Sequence, residues 1–490
     1  MKRSKFSLSN YKLFSCDMGE LVPIGLIEVL PGDTIQHSTS ALVRCSPLLA
    51  PVMHPVHVHI RHFFVPHRLV WSKWEDFITG GPDGMDASVF PTINLTDATN
   101  PVGELPDYLG VPPLVGNIGV SALPFRAYAM IWNEYYRDQD LQAEVNNSNG
   151  SGPDSVTNKL LLKTNWEKDY FTSSRPWEQK GPSITVPIGT SANVVSTGAG
   201  VTFKRNAPDA SSTLRWQSGT SDLGLSPAPP SSGDLMFGSP TGLRADLTGA
   251  SAVTVNVLRE AMALQRYEEA RARFGSRYTE YLRYLGVRSS DARLQRPEYL
   301  GGGKQTIQFS EVLQTAEGTD PVGDLKGHGI GAMRSNRYRR FFEEHGYIVS
   351  LMSVRPKSMY MQGLPRTWNR RVKEDFWQKE LQHIGQQEVL NKELYAKHAT
   401  PDGTFGFQDR YDEYRRTQNT VAGEFQTSTL NYWHFARDFS SAPALNSAFV
   451  TCTPTERTFA VPSQDVLYVM AHHSIQARRM VAKTASSFIY

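Results

Sequence analysis

The chain has few cysteines, no long apolar run and almost no net charge. Its three cysteines, Cys16, Cys45 and Cys452, are odd in number and far apart, which excludes a disulfide framework and is typical of a reducing cytoplasm. No segment approaches the roughly 20 consecutive apolar residues that cross a bilayer, so no membrane partner is expected. The 51 Lys and Arg residues nearly balance the 48 Asp and Glu residues, which excludes a globally basic nucleic-acid binder but allows local basic patches.

Motifs of common enzyme families are also missing. The sequence contains no HEXXH, no G-x-S-x-G and no EF-hand loop, and its GGGKQT lacks the Ser or Thr that follows the lysine of a phosphate-binding loop. The N-terminal MKRSKFSLSNYKLFSC is positively charged, but no apolar segment follows it, so no signal peptide is predicted. We therefore predict a protein that is not an enzyme, needs no cofactor, and is made and kept in a cytoplasm.

The residues that are abundant favour a β-rich fold. Glycine (38), proline (30) and aromatic residues (11%) are plentiful, which is typical of short strands and turns rather than helix bundles. Strand patterns lie at both chain ends, from HVHIRHFFVP near the start to QDVLYVMAHHSIQARRM near the end. Two predicted helices, FRAYAMIWNEYYRDQDL and NVLREAMALQRYEEARARFGSRYTEYLRYLG, lie between them. This arrangement predicts one discontinuous β-sandwich rather than a string of domains.

The second predicted helix changes character at Gly275, which is expected to break it. An apolar stripe at helical spacing follows the break, and stripes of this kind are usually core packing. We therefore predict that these five side chains are buried: Phe274, Tyr278, Tyr281, Leu282 and Leu285.

Between Ser183 and Ala250 the composition changes and charges become rare. SITVPIGTSANVVSTGAGVTF alternates β-branched with small residues, and SPAPPSSGDLMFGSPTGL is rich in proline, serine and glycine. We predict that residues 183–250 form an exposed β-rich insertion within a framework of residues 21–182 and 251–490. The alternative, given the composition, is a disordered linker between two domains.

The segment HPVHVHIRHFFVPHRLVW, residues 54–71, holds five of the thirteen histidines. Side chains alternate faces along a strand, so only His57 and His59 share a face, with Arg61 beside them. A catalytic zinc site needs three protein ligands, and the next acidic residue, Glu75, lies well past the strand. A polar strand face is therefore predicted in place of a metal site, with His57 and His59 as candidate pH-sensitive or inter-subunit residues.

Two local basic runs are candidate contacts for single-stranded DNA. In the second run, arginines are interleaved with Tyr338, Phe341 and Phe342, a combination that suits phosphates and unstacked bases. The alternative is a solvated surface with ion pairs to Glu343 and Glu344. Residues 1–20 are predicted to form a basic N-terminal arm. The candidate contacts are Lys2, Arg3, Lys5, Lys12, Arg334, Arg337, Arg339 and Arg340.

Several long peptides together resemble a known family. PVHVHIRHFFVPHRLVWSKWEDFITGG, SRPWEQKGPSITVPIG, SSDARLQRPEYLGGG, NKELY and GEFQTSTLNYWHFARDF are similar to segments of the major capsid protein of the Microviridae, and closest to the gokushovirus-like branch. These are small tailless bacteriophages with single-stranded DNA genomes. The resemblance spans nearly the whole chain, with the exception of residues 183–250.

The resemblance implies a mainly β fold, an eight-stranded antiparallel jelly-roll β-sandwich with long inter-strand insertions that contain a few helices. It implies self-assembly through pentamers into a T=1 icosahedral shell around a circular single-stranded DNA genome. Residues 183–250 match the position of an insertion that forms protrusions at the three-fold axes, and we expect it to serve host attachment. The implied partners are copies of itself, the packaged DNA, an internal scaffolding protein, a minor pilot protein and a host surface receptor. The implied location is the virion capsid, assembled in the bacterial host cytoplasm.

Two other functions remain open from the residues alone. A His-metal β-barrel enzyme of the cupin type would use His57 and His59 with a remote third ligand. A carbohydrate-binding β-sandwich adhesin would stay monomeric. Retained metal would indicate the first, and a persistent monomer under assembly conditions would exclude a capsid protein.

Overall fold

The computed structural model describes residues 3–113, 116–184, 193–197, 255–313, 315 and 323–483, together with five short strands between residues 202 and 246. The chain forms two compact units. One comprises Met1–Glu178 with Arg271–Tyr490, and the other comprises Gln179–Ala270.

Strands dominate the described residues. In chain order they are β1 (Ser4–Ser7), β2 (Asn10–Cys16), β3 (Val22–Val29), β4 (Thr34–Cys45), β5 (Val56–Pro66), β6 (Thr92–Leu95), β7 (Ile118–Ser121), β8 (Asn193–Ser196), β9 (Thr202–Arg205), β10 (Ser211–Trp216), β11 (Leu223–Ser226), β12 (Leu235–Phe237), β13 (Leu243–Asp246), β14 (Glu298–Leu313), β15 (Leu325–Arg334), β16 (Tyr338–Phe341), β17 (Gly346–Pro356), β18 (Gln386–Leu390), β19 (Thr404–Asp409) and β20 (Leu467–Arg479).

The helices are short, with one exception. They are α1 (His67–Val70), α2 (Trp74–Thr79), α3 (Leu105–Leu109), α4 (Leu123–Ile131), α5 (Val255–Phe274), α6 (Tyr278–Tyr284), α7 (Asn391–Leu394) and α8 (Ser447–Val450). A π-helical turn at Trp132–Tyr136 continues α4. The 3₁₀ turns among the described residues are Arg366–Asn369, Lys373–Asp375, Leu381–His383, Asp412–Tyr414, Gly423–Gln426 and Asn431–Trp433. No helix among the described residues is long and apolar enough to span a membrane.

Eight strands pair in the order of a jelly roll. One sheet has the order β2-β20-β4-β15 and the other has the order β3-β17-β5-β14, and every pairing is antiparallel. The last residues of β14 pair with β15, while its first part pairs with β5, so this strand joins the two sheets. β1 and β16 extend the first sheet by pairing with β20 and β4. The predicted eight-stranded jelly roll is confirmed.

The hydrophobic core lies between the two sheets because apolar residues recur at every second position of the strands. Along β20 the residues alternate between buried and more exposed over almost the whole strand. Val22, Val43, Val58, Val354 and Val469, each from a different strand, lie in one buried cluster. Alternation along the strands thus determines which face of each sheet packs inward.

The outer faces of the two sheets have different surroundings. Phe63 of β5 and Val349 of β17 pack in a second cluster with Phe125 and Tyr128 of α4, which belongs to the long connection between β5 and β14. This sheet is therefore covered on both faces. On β2 and β20 of the other sheet, Tyr11, Leu13, Tyr468 and Met470 are at least 42% exposed, so part of its outer face is open.

Residues 4–7 and 10–16 of the segment expected to be an N-terminal arm are the strands β1 and β2, and both pair with β20. The second compact unit, Gln179–Ala270, contains residues 183–250, which were predicted to form a β-rich insertion. Within its described residues, β11-β10-β9-β12 form one antiparallel sheet and β8 pairs with β13. Both segments are therefore rich in strands.

The break predicted at Gly275 is confirmed, because this glycine has φ +97° and separates α5 from α6. The prediction that the following stripe is buried is wrong. Tyr278 is 65% exposed, Leu285 54% and Phe274 48%. Polar contacts hold α6 in place instead: Arg277 donates hydrogen bonds to the carbonyls of Asn133 and Arg137. Helical spacing alone does not show whether a stripe faces a core or a surface.

Candidate nucleic-acid interface

The open outer face of the sheet β2-β20-β4-β15 collects basic side chains in rows. Strand register places Lys5 next to Arg478, and Arg334 in the row of His472 and Tyr11. Residues with the same parity on neighbouring strands point to the same side of a sheet. Six cations therefore share this face, and one of them, Lys326, pairs with Asp324 at 2.9 Å. We call it the basic face after the other five: Lys5, Arg44, Arg334, Arg339 and Arg478.

These five cations are not neutralised. All five are exposed, and none of them has an ion pair within the described part of the chain. The strand residues that point to this face include no Asp or Glu. Asp465, which precedes β20, accepts a hydrogen bond from Ser15. The basic face therefore presents net positive charge to solvent.

Flat rings and apolar side chains lie among the cations. Tyr11 stacks on His472, with ring centroids 4.4 Å apart and an interplanar angle of 25°. Leu13 and Met470 occupy the adjacent row and are 80% and 43% exposed. Tyr468 lies one row further, beside Arg44. Cations with exposed rings suit a single-stranded nucleic acid, whose phosphates pair with the cations while unpaired bases stack on the rings.

The structure places some of the predicted DNA contacts on the basic face and others elsewhere. Lys5, Arg334 and Arg339 lie on the basic face, and Arg337 is exposed in the turn between β15 and β16. Arg3 lies at its edge, where it donates to the carbonyl of Gly32, and its guanidinium is 5.6 Å from the ring centroid of Phe341. Lys2 lies outside the described residues. Arg44 and Arg478 were missed because neither belongs to the two basic runs singled out from the sequence.

Two predicted contacts point elsewhere. Lys12 lies on the opposite side of β2, where its ammonium group donates hydrogen bonds to the carbonyls of Pro23 and Tyr108. Burial lowers the pKa of Lys12 to about 8, although Asp107 partly opposes this shift. Arg340 has the opposite parity to Arg339 and forms a 2.6 Å ion pair with Glu298. Neither Lys12 nor Arg340 belongs to the basic face.

The parity predicted for the histidine strand is found in β5, where His57 and His59 point to the same side, with ring centroids 6.4 Å apart. The acidic partner comes from a distant segment: Glu167 Oε1 lies 3.5 Å from His59 Nε2. Lys304 and Lys357 also pair with Glu167, at 2.7 and 3.1 Å.

Charge at this cluster disfavours a metal ion. The hydrogen bond from His59, together with the two lysines, holds the pKa of Glu167 well below its usual range despite burial. Burial lowers the pKa values of His57 and His59. Two ammonium groups beside the carboxylate repel a divalent cation, and the described residues contain no group of three or more His, Cys, Asp or Glu suited to hold one.

Three other histidines form a buried cluster in the sandwich that was not foreseen. His37 Nε2 lies 3.2 Å from His473 Nδ1, and the rings of His37 and His62 are 4.6 Å apart. Ser350 and Ser335 hydrogen-bond the two nitrogens of His62 at 2.8 and 3.0 Å. The sequence pattern could have indicated that these histidines are buried, because each of the three has the parity of the apolar residues on its strand.

Jelly rolls occur in virus shell subunits, in lectins and in cupins. The family model described as "Capsid protein (F protein)" matches residues 1–488, and the chain belongs to this family. It is thus a structural capsid protein, located in the virion capsid, and this family supports neither the enzyme nor the adhesin alternative.

Curated relatives agree with the expected branch. The chain is 37% identical to "Capsid protein VP1" of Bdellovibrio phage phiMH2K, over 94% of this chain and 90% of that protein. It is 33% identical to "Capsid protein VP1" of Chlamydia phage 1, over 95% and 92% of the two chains. It is also 33% identical to "Capsid protein VP1" of Spiroplasma virus 4, over 94% and 90%. The resemblance stated from the peptides is confirmed.

Proposed function

We propose that this capsid protein assembles through pentamers into a T=1 icosahedral shell that encloses a circular single-stranded DNA genome. The basic face contacts the packaged DNA. The observation that supports this contact most directly is the combination of five unpaired cations, no acid and the exposed Tyr11–His472 stack on one sheet face. Cations there pair with phosphates without reading sequence, as packaging of a whole genome requires.

The proposed shell and its other partners are those that membership of the capsid protein family implies. An internal scaffolding protein holds subunits during assembly in the bacterial host cytoplasm, and a minor pilot protein and a host surface receptor are further partners. Electron microscopy of purified protein under assembly conditions tests the shell directly. Closed particles of uniform size are expected, and a persistent monomer contradicts the proposal.

Replacing two cations of the basic face tests the DNA contact. In the Arg334→Gln, Arg339→Gln variant we expect the unassembled subunit to bind single-stranded DNA more weakly, with a salt-dependence slope smaller by roughly 1.4, since each phosphate contact contributes about 0.7. The measurement is the affinity for a labelled oligonucleotide between low and moderate salt.

A matched variant controls for net charge. Lys379 and Lys397 are exposed in the connection between β17 and β20, and Lys379→Gln, Lys397→Gln removes the same charge. Its salt slope is expected to match the unmodified protein. Equal slopes for both variants would show that binding depends only on net charge and would exclude the basic face as the contact.

We further propose that residues 183–250 form the protrusion that attaches the particle to its host. The strands β8 to β13 in this region support a folded appendage rather than a linker. Deleting residues 191–249 is expected to leave particles of normal size that no longer adsorb to host cells. Adsorption is measured as the loss of free particles from a cell suspension, and undiminished adsorption of the deletion variant would refute the proposal.

His57 and His59 remain candidates for pH-sensitive or inter-subunit residues. The ion pair between His59 and Glu167 supports a structural contribution within one chain, because protonated His59 would gain a charged partner. A role between subunits stays a prediction.

A further inference from the structure

A groove of about 830 Å³ opens on the surface where α6 and the loop that follows it meet the start of β14. Its apolar lining includes Leu282, Val287 and Leu294. Tyr299, which also lines the groove, is 48% exposed. Exposed apolar and tyrosine side chains within a depression are typical of a surface that a partner covers.

The groove carries an uncompensated positive charge. Its two carboxylates are already occupied: Asp291 lies 3.2 Å from the Arg296 guanidinium, and Glu298 lies 2.6 Å from that of Arg340. Arg283 and Arg288 also line the groove, are exposed, and have no ion pair within the described residues. The groove therefore fits an occupant with apolar side chains and negative charge.

The same chain exposes a segment with that chemistry. Residues 75–89, here called the knob, follow one another through α2 and a tight turn. Met85 is 81% exposed, Val89 61% and Ile78 50%. Glu75 and Asp83 are exposed beside them and have no ion pair within the described residues.

The knob is held in one shape before any partner binds. The amide of Asp86 donates to the carbonyl of Gly80 at 2.9 Å, and the amide of Met85 donates to the Asp83 carboxylate at 3.0 Å. Gly80 has φ +85° and Gly84 has φ +76°, conformations that other residues adopt only with strain. At its base, Phe77 packs on Trp71 with ring centroids 4.9 Å apart. A preformed knob loses little conformational entropy on docking.

We propose that the knob of one copy docks in the groove of a second copy, as a contact between subunits of the shell. This inference rests on the proposed self-assembly. Both surfaces are open in the single chain, and they are complementary in charge and in apolar character. Arg283 and Arg288 meet Glu75 and Asp83 at the edge, while Met85 enters between Leu282, Val287 and Leu294.

Nucleic acid is the less favoured occupant of the groove. Along β16 the side chains alternate, so Arg339 points to the basic face and Arg340 points to the groove on the other side of the strand. The groove is thus separated from the face that collects unpaired cations. Its lining also includes the apolar side chains of Leu282, Val287 and Leu294, which cannot pair with phosphates.

Charge reversal tests the contact. In Arg283→Glu, Arg288→Glu, and separately in Glu75→Lys, Asp83→Lys, the protein concentration needed for half-maximal assembly is expected to rise about 100-fold, since like charges then face each other. Combining all four substitutions restores opposite charges and is expected to recover assembly close to the unmodified level. Light scattering and sedimentation measure the assembled fraction. Recovery also shows that the two double variants fold.

A matched variant controls for the change in net charge. Lys379→Glu, Lys397→Glu makes the same charge change elsewhere and is expected to assemble normally. Unchanged assembly in either double variant overturns the proposal, as does failure of the fourfold variant to recover while its unfolding midpoint is normal. Loss of oligonucleotide affinity in Arg283→Glu, Arg288→Glu without an assembly defect would assign the groove to DNA. If the unmodified protein forms no shell, the proposed function itself fails.

Discussion

Arg126→Met is expected to lower the free energy of unfolding by about 3–5 kcal/mol, because it leaves a buried carboxylate without its partner. Arg126 and Asp154 are each 1% exposed and lie 2.8 Å apart. Arg126 also donates to the carbonyls of Val70 and Gly150, which ties α4 to α1 and to the loop between the π-helical turn and β8. Burial by itself would raise the pKa of Asp154, but hydrogen bonds from Thr157 and Arg126 lower it below the usual value.

The measurement is the urea midpoint of the unassembled subunit, with a double variant for comparison. Arg126→Met, Asp154→Leu removes both charges and is expected to recover a large part of the loss, since a buried ion pair can often be replaced by apolar residues. Lys73→Met breaks the exposed pair with Asp76 and serves as the control, with little expected change. A small loss in Arg126→Met, equal to that of the control, would contradict this account.

Acidification below pH 6.5 is expected to destabilise the subunit steeply through the buried histidine cluster. Burial, with repulsion from the neighbouring histidines, lowers the pKa of His37 to about 2 and that of His62 to about 3, and burial also lowers the pKa of His473. The three rings face one another and the Tyr338 hydroxyl, with no carboxylate among their hydrogen-bond partners in the described residues. His37 and His62 are therefore neutral in the folded protein at pH 5.

Proton uptake by the unfolded chain determines that stability falls as the pH falls. In the unfolded chain His37 and His62 each bind a proton below about pH 6.5, whereas in the folded protein they do not until the pH is far lower. The stabilising contribution is thus fully present above pH 6.5 and is lost as the pH falls, by about 1.4 kcal/mol per pH unit for each histidine. At pH 5 His37 and His62 together cost roughly 4 kcal/mol, a large part of the stability of a typical domain, and the lowered pKa of His473 acts in the same direction.

Unfolding midpoints between pH 7 and pH 5 measure this slope. His62→Gln keeps a polar side chain between Ser335 and Ser350 and is expected to flatten the slope by about 1.4 kcal/mol per pH unit. His383 is exposed on a 3₁₀ turn, so His383→Gln is expected to leave the slope unchanged. Equal slopes in both variants would show that the cluster does not control acid stability.

Much of the jelly roll could be predicted locally. The alternation in QDVLYVMAHHSIQARRM and HVHIRHFFVP indicates strands and their two faces, because a strand repeats every two residues. Alternation also separates His57 and His59 from His62 before any partner is known. The break at Gly275 follows from backbone conformation, which is likewise a local property.

The candidate site could be predicted only in part. Lys5, Arg334 and Arg339 were found because they belong to dense basic runs, but Arg44 and Arg478 join them only through strand register. Lys12 was wrongly included for the converse reason. It belongs to a basic run, but the run gives no indication that β3 and α3 cover its side chain. Charge density along a chain does not show which side of a strand is open.

The sequence by itself determined the strand alternation, the capsid family and the absence of common catalytic motifs, because these depend on neighbouring residues or on long matching peptides. Only the tertiary structure decided which surfaces remain open. It brought Glu167 to His59, gathered His37, His62 and His473 in the interior, and left the tyrosines of α6 exposed. The physical reason is that strand order and insertion packing join residues distant in sequence, and burial depends on those neighbours.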